Sequence, residues 1–301
     1  MRATIQLCTY NRAALLARVL DACFDQTVAQ DEYEVVVVDD GSSDETPAAI
    51  ETARRCATCA LTVITQSNAG LARARNAGIA RAVGERIIFI DDDVLPIPTF
   101  VEEHLRAAER HPGYIVRGGA IEVEDPDDLP PPIWNIRNYS GNYFWTTNVS
   151  VPLSTIRAIG GFDESFAEYG WEDIDVGLRL RAGGVRAAFH PDALVYHVKP
   201  RPTGASIEKL IAQARAQART AVRLVRRHPT WRAYLATGIN PVQLQFHAAL
   251  RRTNVEARLR RRLETVAQDR PLGRAQLRAA RALANEVYFA ELQRALRSDG
   301  A

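Results

Sequence analysis

The run Ile87-Ile88-Phe89-Ile90-Asp91-Asp92-Asp93-Val94 sets three adjacent carboxylates at the end of an apolar segment. Carboxylates this close repel one another and lose water together, so the run is stable only on a surface or beside a cation. Oxygen donors at this density suit a hard divalent ion, Mg²⁺ or Mn²⁺, usually together with a substrate phosphate. A solvated acidic turn is the competing reading of the run alone.

The elements that must position these carboxylates alternate. Thr4 to Cys8 predicts a strand, and Arg12 to Phe24 an amphipathic helix with Leu15, Leu16, Val19, Leu20 and Cys23 on one side. Tyr33 to Val38 is a continuous apolar run, as expected of a strand covered on both faces. A helix from Pro47 to Cys56, a strand from Leu61 to Thr65, a helix from Leu71 to Val83 and a strand from Arg86 to Ile90 follow. Strands separated by helices imply βαβ units and a mainly parallel sheet, whose ligands sit outside the carboxyl ends of the strands. Those ends read Thr9-Tyr10-Asn11-Arg12, Asp39-Asp40-Gly41-Ser42-Ser43-Asp44, Gln66-Ser67-Asn68-Ala69-Gly70 and Asp91-Asp92-Asp93. All four are polar and converge on one edge. No Gly-x-Gly-x-x-Gly follows the first strand and no P-loop motif occurs, which argues against a dinucleotide fold and excludes a P-loop.

These blocks, with Asn68-Ala69-Gly70-Leu71-Ala72-Arg73-Ala74-Arg75-Asn76, Gly160-Gly161-Phe162-Asp163-Glu164 and Trp171-Glu172-Asp173, occur in the order seen in family-2 glycosyltransferases, which the chain resembles over roughly residues 3–200. The resemblance implies an α/β fold of GT-A type. A mainly parallel central sheet with flanking helices would join a Rossmann-like nucleotide half (1–93) to an acceptor half (94–204), ahead of a helical extension (205–301). It implies transfer of a sugar from a nucleotide-diphosphate donor, UDP-linked by expectation, to an acceptor hydroxyl. Asp93 and Asp91 would hold Mn²⁺ or Mg²⁺, with Asp91 near the ribose or a metal-bound water. His197, rather than His190, would complete the metal site. Thr9, Tyr10 and Arg12 would line the base pocket with Asn68, and Asp40 would accept from a uracil N–H. Arg73 or Arg75 would reach the base or diphosphate. Asp173 would take the acceptor's proton in an inverting reaction and Glu172 would orient the acceptor. An acidic helix N-terminus is the competing reading of the same pair, and both can hold at once. Trp134, Tyr143, Phe144, Trp145 and Trp171 would offer an aromatic acceptor platform, and Asn148 a sugar contact. A retaining enzyme or an inactive nucleotide-sugar-binding scaffold are the alternatives. A sugar-phosphate nucleotidylyltransferase is disfavoured because Thr9-Tyr10-Asn11-Arg12 is not the glycine-rich loop it needs.

The 301 residues are 47% hydrophobic and 25% charged, the composition of an ordinary globular protein. No run is long and apolar enough to span a bilayer, and Ala3 to Cys8 lacks a signal-peptide layout, so a cytoplasmic protein is the expectation. The four cysteines lie within the first 60 residues, and Cys56-x-x-Cys59 lacks the second pair a structural zinc needs. Net charge is +2, yet residues 205–301 hold 19 Lys and Arg against 7 Asp and Glu, leaving the first 204 residues at −10. An acidic front disfavours nucleic acid as a partner. Ile207, Leu210, Ile211, Ala214, Ala218, Val222 and Val225 share one helical face and Arg215, Arg219 and Arg223 another. Such helices suit core packing, a homodimer or peripheral contact with a membrane surface.

Overall fold

The computed structural model describes residues 1–264 and 266–298. The chain forms two compact units: residues 1–167 with 172–200, and residues 168–171 with those from 201 onward.

The first unit begins with β1 (Ala3–Thr9), α1 (Ala13–Phe24), β2 (Tyr33–Asp39), α2 (Thr46–Cys56), β3 (Ala60–Thr65), α3 (Leu71–Arg81) and β4 (Arg86–Phe89). It continues with β5 (Val94–Pro96), α4 (Phe100–Arg110), β6 (Ile115–Val123), β7 (Val149–Pro152), α5 (Leu153–Ala158), α6 (Glu172–Ala182) and β8 (Ala187–Val198). One eight-stranded sheet has the order β3-β2-β1-β4-β7-β6-β8-β5. Its first four strands are parallel, as the alternation predicts. Beyond β4 the sheet is mixed: β7 runs antiparallel to both neighbours and β5 antiparallel to β8.

Both faces are covered, which explains the unbroken valines of β2. Val35 and Val37 pack with Leu16, Val19 and Leu20 of α1 and Ile50 of α2. Val36 and Val38 face Ala74 of α3. Farther along, Ile87 and Phe89 meet Val149, Val151, Ile156 and Val176. Each fully buried side chain of this size contributes roughly 1.5–3 kcal/mol, which fixes the strand register and so the polar strand ends.

The second unit is helical, as its composition predicts: α7 (Ser206–Arg227), α8 (Trp231–Thr237), α9 (Pro241–Arg251), α10 (Val255–Glu264) and α11 (Arg274–Ser298). Ile207, Ile211 and Ala214 of α7 pack with Leu263, Ala280, Leu283 and Val287. Segment 168–171 joins this unit through Trp171, whose indole N–H donates to the Gln217 carbonyl at 2.8 Å. Glu168 pairs with Arg219 there, and the Thr220 hydroxyl donates to the Tyr169 carbonyl.

Candidate active site

β1 and β4 lie side by side, so the chain beyond Phe89 leaves the sheet next to Thr9. The Thr9 hydroxyl donates to Asp92 at 2.9 Å. Arg12 lies 3.6 Å from both Asp92 and Asp93. The chain then turns back into β5, whose Val94 pairs with His197 of β8. That register sets His197 Nε2 3.3 Å from the Asp93 carboxylate. The expected metal pair is therefore brought together by strand pairing alone. Burial raises the Asp93 pKa, but His197, Arg12 and Lys199 overcome it and leave Asp93 below the usual carboxylate range. Asp92 moves the other way: burial pushes it up to about 6 against Arg12 and Thr9.

Arg75 is the centre of the arrangement. It sits on the inner face of α3, 4% exposed. Its guanidinium meets Glu172 at 2.8 Å and Asp91 at 3.2 Å, and donates to the Thr146 hydroxyl at 2.7 Å. Burial lowers its pKa, yet Glu172 and Asp91 more than restore it. One side chain thus ties the carboxylates after β4 to the start of α6. The second Asp91 oxygen accepts from Thr147 at 2.7 Å. Both Asp91 oxygens have protein donors, whereas the partners of Asp93 among the described residues, Arg12 and His197, stand 3.6 and 3.3 Å away. Asp93 is the carboxylate with capacity for a cation.

Asp173 follows Glu172 in the first turn of α6, and its carboxylate accepts from the Ile174 amide at 2.7 Å. Desolvation, then the charge of Glu172, raises its pKa to about 7, with Arg75 pulling it down and Asp91 adding to the rise. A half-buried carboxyl poised near neutrality is suited to accept a proton. Glu172 is buried with an oxygen on Arg75, so it supports the site rather than facing an acceptor as expected.

The loops after β1 to β3 interlock. Asn11 adopts φ 52°, and its side-chain oxygen accepts from the Ser43 and Asp44 amides at 2.8 and 3.3 Å. Asp40 accepts from Gln66, Ala69 and Gly70 at 2.7–3.0 Å, which fixes its orientation. Gly41 has φ 82°, and a Cβ there would stand 2.7 Å from the Asn68 amide, so the turn admits no side chain. Tyr10 and Asn68 are exposed beside this loop cluster. Arg73 is also exposed, on the outer side of α3, so Arg75 alone of the two reaches the carboxylates.

Other expected residues lie elsewhere. Asn148 is 1% exposed, and its amide donates to the Gly119 and Ala193 carbonyls at 2.9 Å while its oxygen meets His104. It holds β6 and β8 together where their register slips, so it has no free group for a sugar. Burial drives the His104 pKa to about 3, which keeps that ring neutral. His190 pairs with Glu103 at 2.7 Å, apart from His197. The aromatic platform does not assemble as one surface. Phe144 is core with Phe89 and Phe162, the Tyr143 hydroxyl donates to the Val185 carbonyl, and Trp134 leans on Phe189. Trp145 alone stands beside the carboxylates, its ring 6.3 Å from His197. Trp171 belongs to the helical unit. Asp92, Thr146 and Thr147 carry site contacts that the motifs did not assign. Thr146 and Thr147 adjoin Asn148 and share its motif, and that adjacency was their only signal.

The family model "Glycosyl transferase family 2" matches residues 4–162 and "N-terminal domain of galactosyltransferase" matches residues 134–200. The chain belongs to glycosyl transferase family 2. Validoxylamine A glucosyltransferase of Streptomyces hygroscopicus subsp. jinggangensis is 32% identical over 215 residues, covering 59% of this chain and 50% of that protein. The uncharacterized glycosyltransferase YfnE of Bacillus subtilis is 25% identical over 256 residues, 65% of this chain and 64% of that one. The chain thus spans about half the length of the glucosyltransferase it matches. Among solved structures, the mannosyltransferase PcManGT of Pyrobaculum calidifontis, in complex with GDP-Man and Mn²⁺, superposes with a TM-score of 0.62 at 24% identity. That match covers 98% of this chain and 86% of the other. S. aureus TarS 1-349 with UDP-GlcNAc gives 0.57 at 17% identity over 99% and 92%. These likenesses give the expected GT-A fold.

Proposed function

We propose that this chain transfers a sugar from a nucleotide-diphosphate donor, UDP-linked by preference, to an acceptor hydroxyl with inversion. The observation that carries this reading is the buried Arg75, which ties Asp91 after β4 to Glu172, the chain neighbour of Asp173. Among the described residues, Asp91, Asp92, Asp93 and Glu172 meet the guanidiniums of Arg12 and Arg75 and the ring of His197, and Asp173 adds a fifth carboxylate. That excess of negative charge, with imidazole nitrogen beside carboxylate oxygen, fits a divalent cation held by Asp93 and His197 and favours Mn²⁺ over Mg²⁺. When bound, such an ion supplies charge neutralisation to a departing diphosphate.

The chain's own residues do the rest. Asp40, pre-oriented by three donors, is suited to accept from a uracil N3–H. Thr9 and Arg12 hold the aspartate run in place, and Tyr10 and Asn68 flank the base. Asp173 takes the hydroxyl proton as the acceptor oxygen bonds to the anomeric carbon. The bond to the diphosphate oxygen breaks, and the diphosphate leaves with its electron pair. Glu172 acts through Arg75 as a positioning residue. Trp145, next to His197, offers a face for a sugar ring.

Thermal-shift measurement with UDP, GDP and their sugars, with and without Mn²⁺, tests the reading. UDP with Mn²⁺ should raise Tm, and chelator should abolish both that shift and sugar transfer. Undiminished transfer in chelator, or no response to any nucleotide, overturns it.

A further inference from the structure

Within the helical unit, one stretch is chemically unlike the rest. Residues 209–255 hold nine Lys and Arg and no Asp or Glu. The same stretch carries exposed large apolar side chains on two consecutive short helices. On α8, Trp231 is 64% exposed, Tyr234 40% and Leu235 72%. Their i, i+3, i+4 spacing puts them on one face. On α9, Val242 is 77% exposed and Phe246 58%, again one turn apart.

The opposite faces are fixed within the unit, so these side chains are held outward by packing rather than frayed. Ala233 and Thr237 of α8 are buried, and the Tyr288 hydroxyl donates to the Thr237 carbonyl. His247 of α9 stacks on Phe289 and pairs with Glu286 at 2.8 Å. Arg232 lies over the Trp231 ring, 4.3 Å from its centroid, so cation and aromatic stand at the same place. Aromatic and aliphatic tips with Arg232 beside them, on a stretch that has no carboxylate of its own and whose Glu286 neighbour is taken up by His247, are complementary to an anionic lipid surface. No helix among the described residues is long and apolar enough to cross a bilayer, so the fit is to the interface.

We propose that α8 and α9 dock this chain onto an anionic membrane surface, with Trp231, Leu235 and Phe246 entering the acyl boundary, and with Arg232 and Arg252, the exposed residue that ends α9, meeting lipid phosphates. The assignment rests on the helical unit alone and is independent of the sugar-transfer reading.

Co-sedimentation of the whole chain with phosphatidylcholine vesicles, with and without phosphatidylglycerol, tests it. The chain should pellet with the anionic vesicles and come off as salt is raised. The triple variant Trp231→Ala/Leu235→Ala/Phe246→Ala should lose about a hundredfold in partitioning while keeping its circular dichroism and its nucleotide response. Arg232→Gln and Arg252→Gln should each cost about fivefold, on anionic vesicles only. Equal binding to both vesicle types, or binding untouched by the triple variant, overturns the proposal. So does a dimer in sedimentation velocity that the triple variant dissociates while vesicles go unbound, which would make this face a contact between copies.

Discussion

Asp173 shows how one carboxyl is tuned by its immediate neighbours. Its raised pKa means the protonated form persists where an ordinary aspartate is ionised. Between about pH 4, where an unfolded aspartate ionises, and about pH 7 the folded chain therefore holds an extra proton at this site. Stability attributable to Asp173 falls as pH rises through that window. If Asp173 is the base proposed above, activity should rise through the same window. Asp173→Asn should accordingly raise Tm, keep donor binding and lower kcat by about 10²–10⁴-fold. A Tm scan and steady-state kinetics across pH check the opposed signs. Arg75 pulls the Asp173 pKa down, so Arg75→Gln should move the acid limb of kcat to higher pH. It should also cost about 3 kcal/mol in urea unfolding, because Glu172 is left as a buried charge without its partner. Arg75→Lys restores charge but not a planar fork reaching both partners, and should recover stability only in part.

At the scale of elements, the first four strands and their helices were legible because burial on both faces imposes unbroken apolar runs, as in Tyr33 to Val38. Small departures have local causes: the helix expected to reach Val83 stops at Arg81, where Ala82 takes an extended ψ of 138°. The later strands were less legible. β7 and β5 are four and three residues long and antiparallel, so neither carries a period of its own. Register was hidden for the same reason: nothing in the spacing of Asp93 and His197 says that Val94 pairs with His197. Motif order brought residues 9, 12, 91, 93, 172 and 173 to notice. It did not distinguish a polar residue facing the site from one plugging the sheet, and Asn148 is of the second kind. Asn148→Ala should leave the Gly119 and Ala193 carbonyls unpaired and cost about 2–4 kcal/mol, measured by urea unfolding. Turnover per folded molecule should stay near that of the parent chain.

At the scale of the whole molecule, the acidic and basic halves read from composition correspond to an α/β unit and a helical one with different chemistries. The boundary between them is not a single point in the chain. Residues 168–171 are packed with the helical unit through Trp171, Tyr169 and Glu168, and the next residue, Glu172, opens α6. Trp171 holds a left-handed φ of 74° at that junction, a strained backbone that its bond to Gln217 helps to keep. Trp171→Ala should therefore lower kcat more than it lowers the affinity for donor, read from turnover and nucleotide titration on the same preparation. Anyone shuffling modules within this family meets the consequence directly. A chimera spliced at residue 200 inherits a tetrapeptide shaped for the helices it has lost, and it inherits it two positions upstream of Asp173, the proposed base. Compatible grafts must exchange both stretches together.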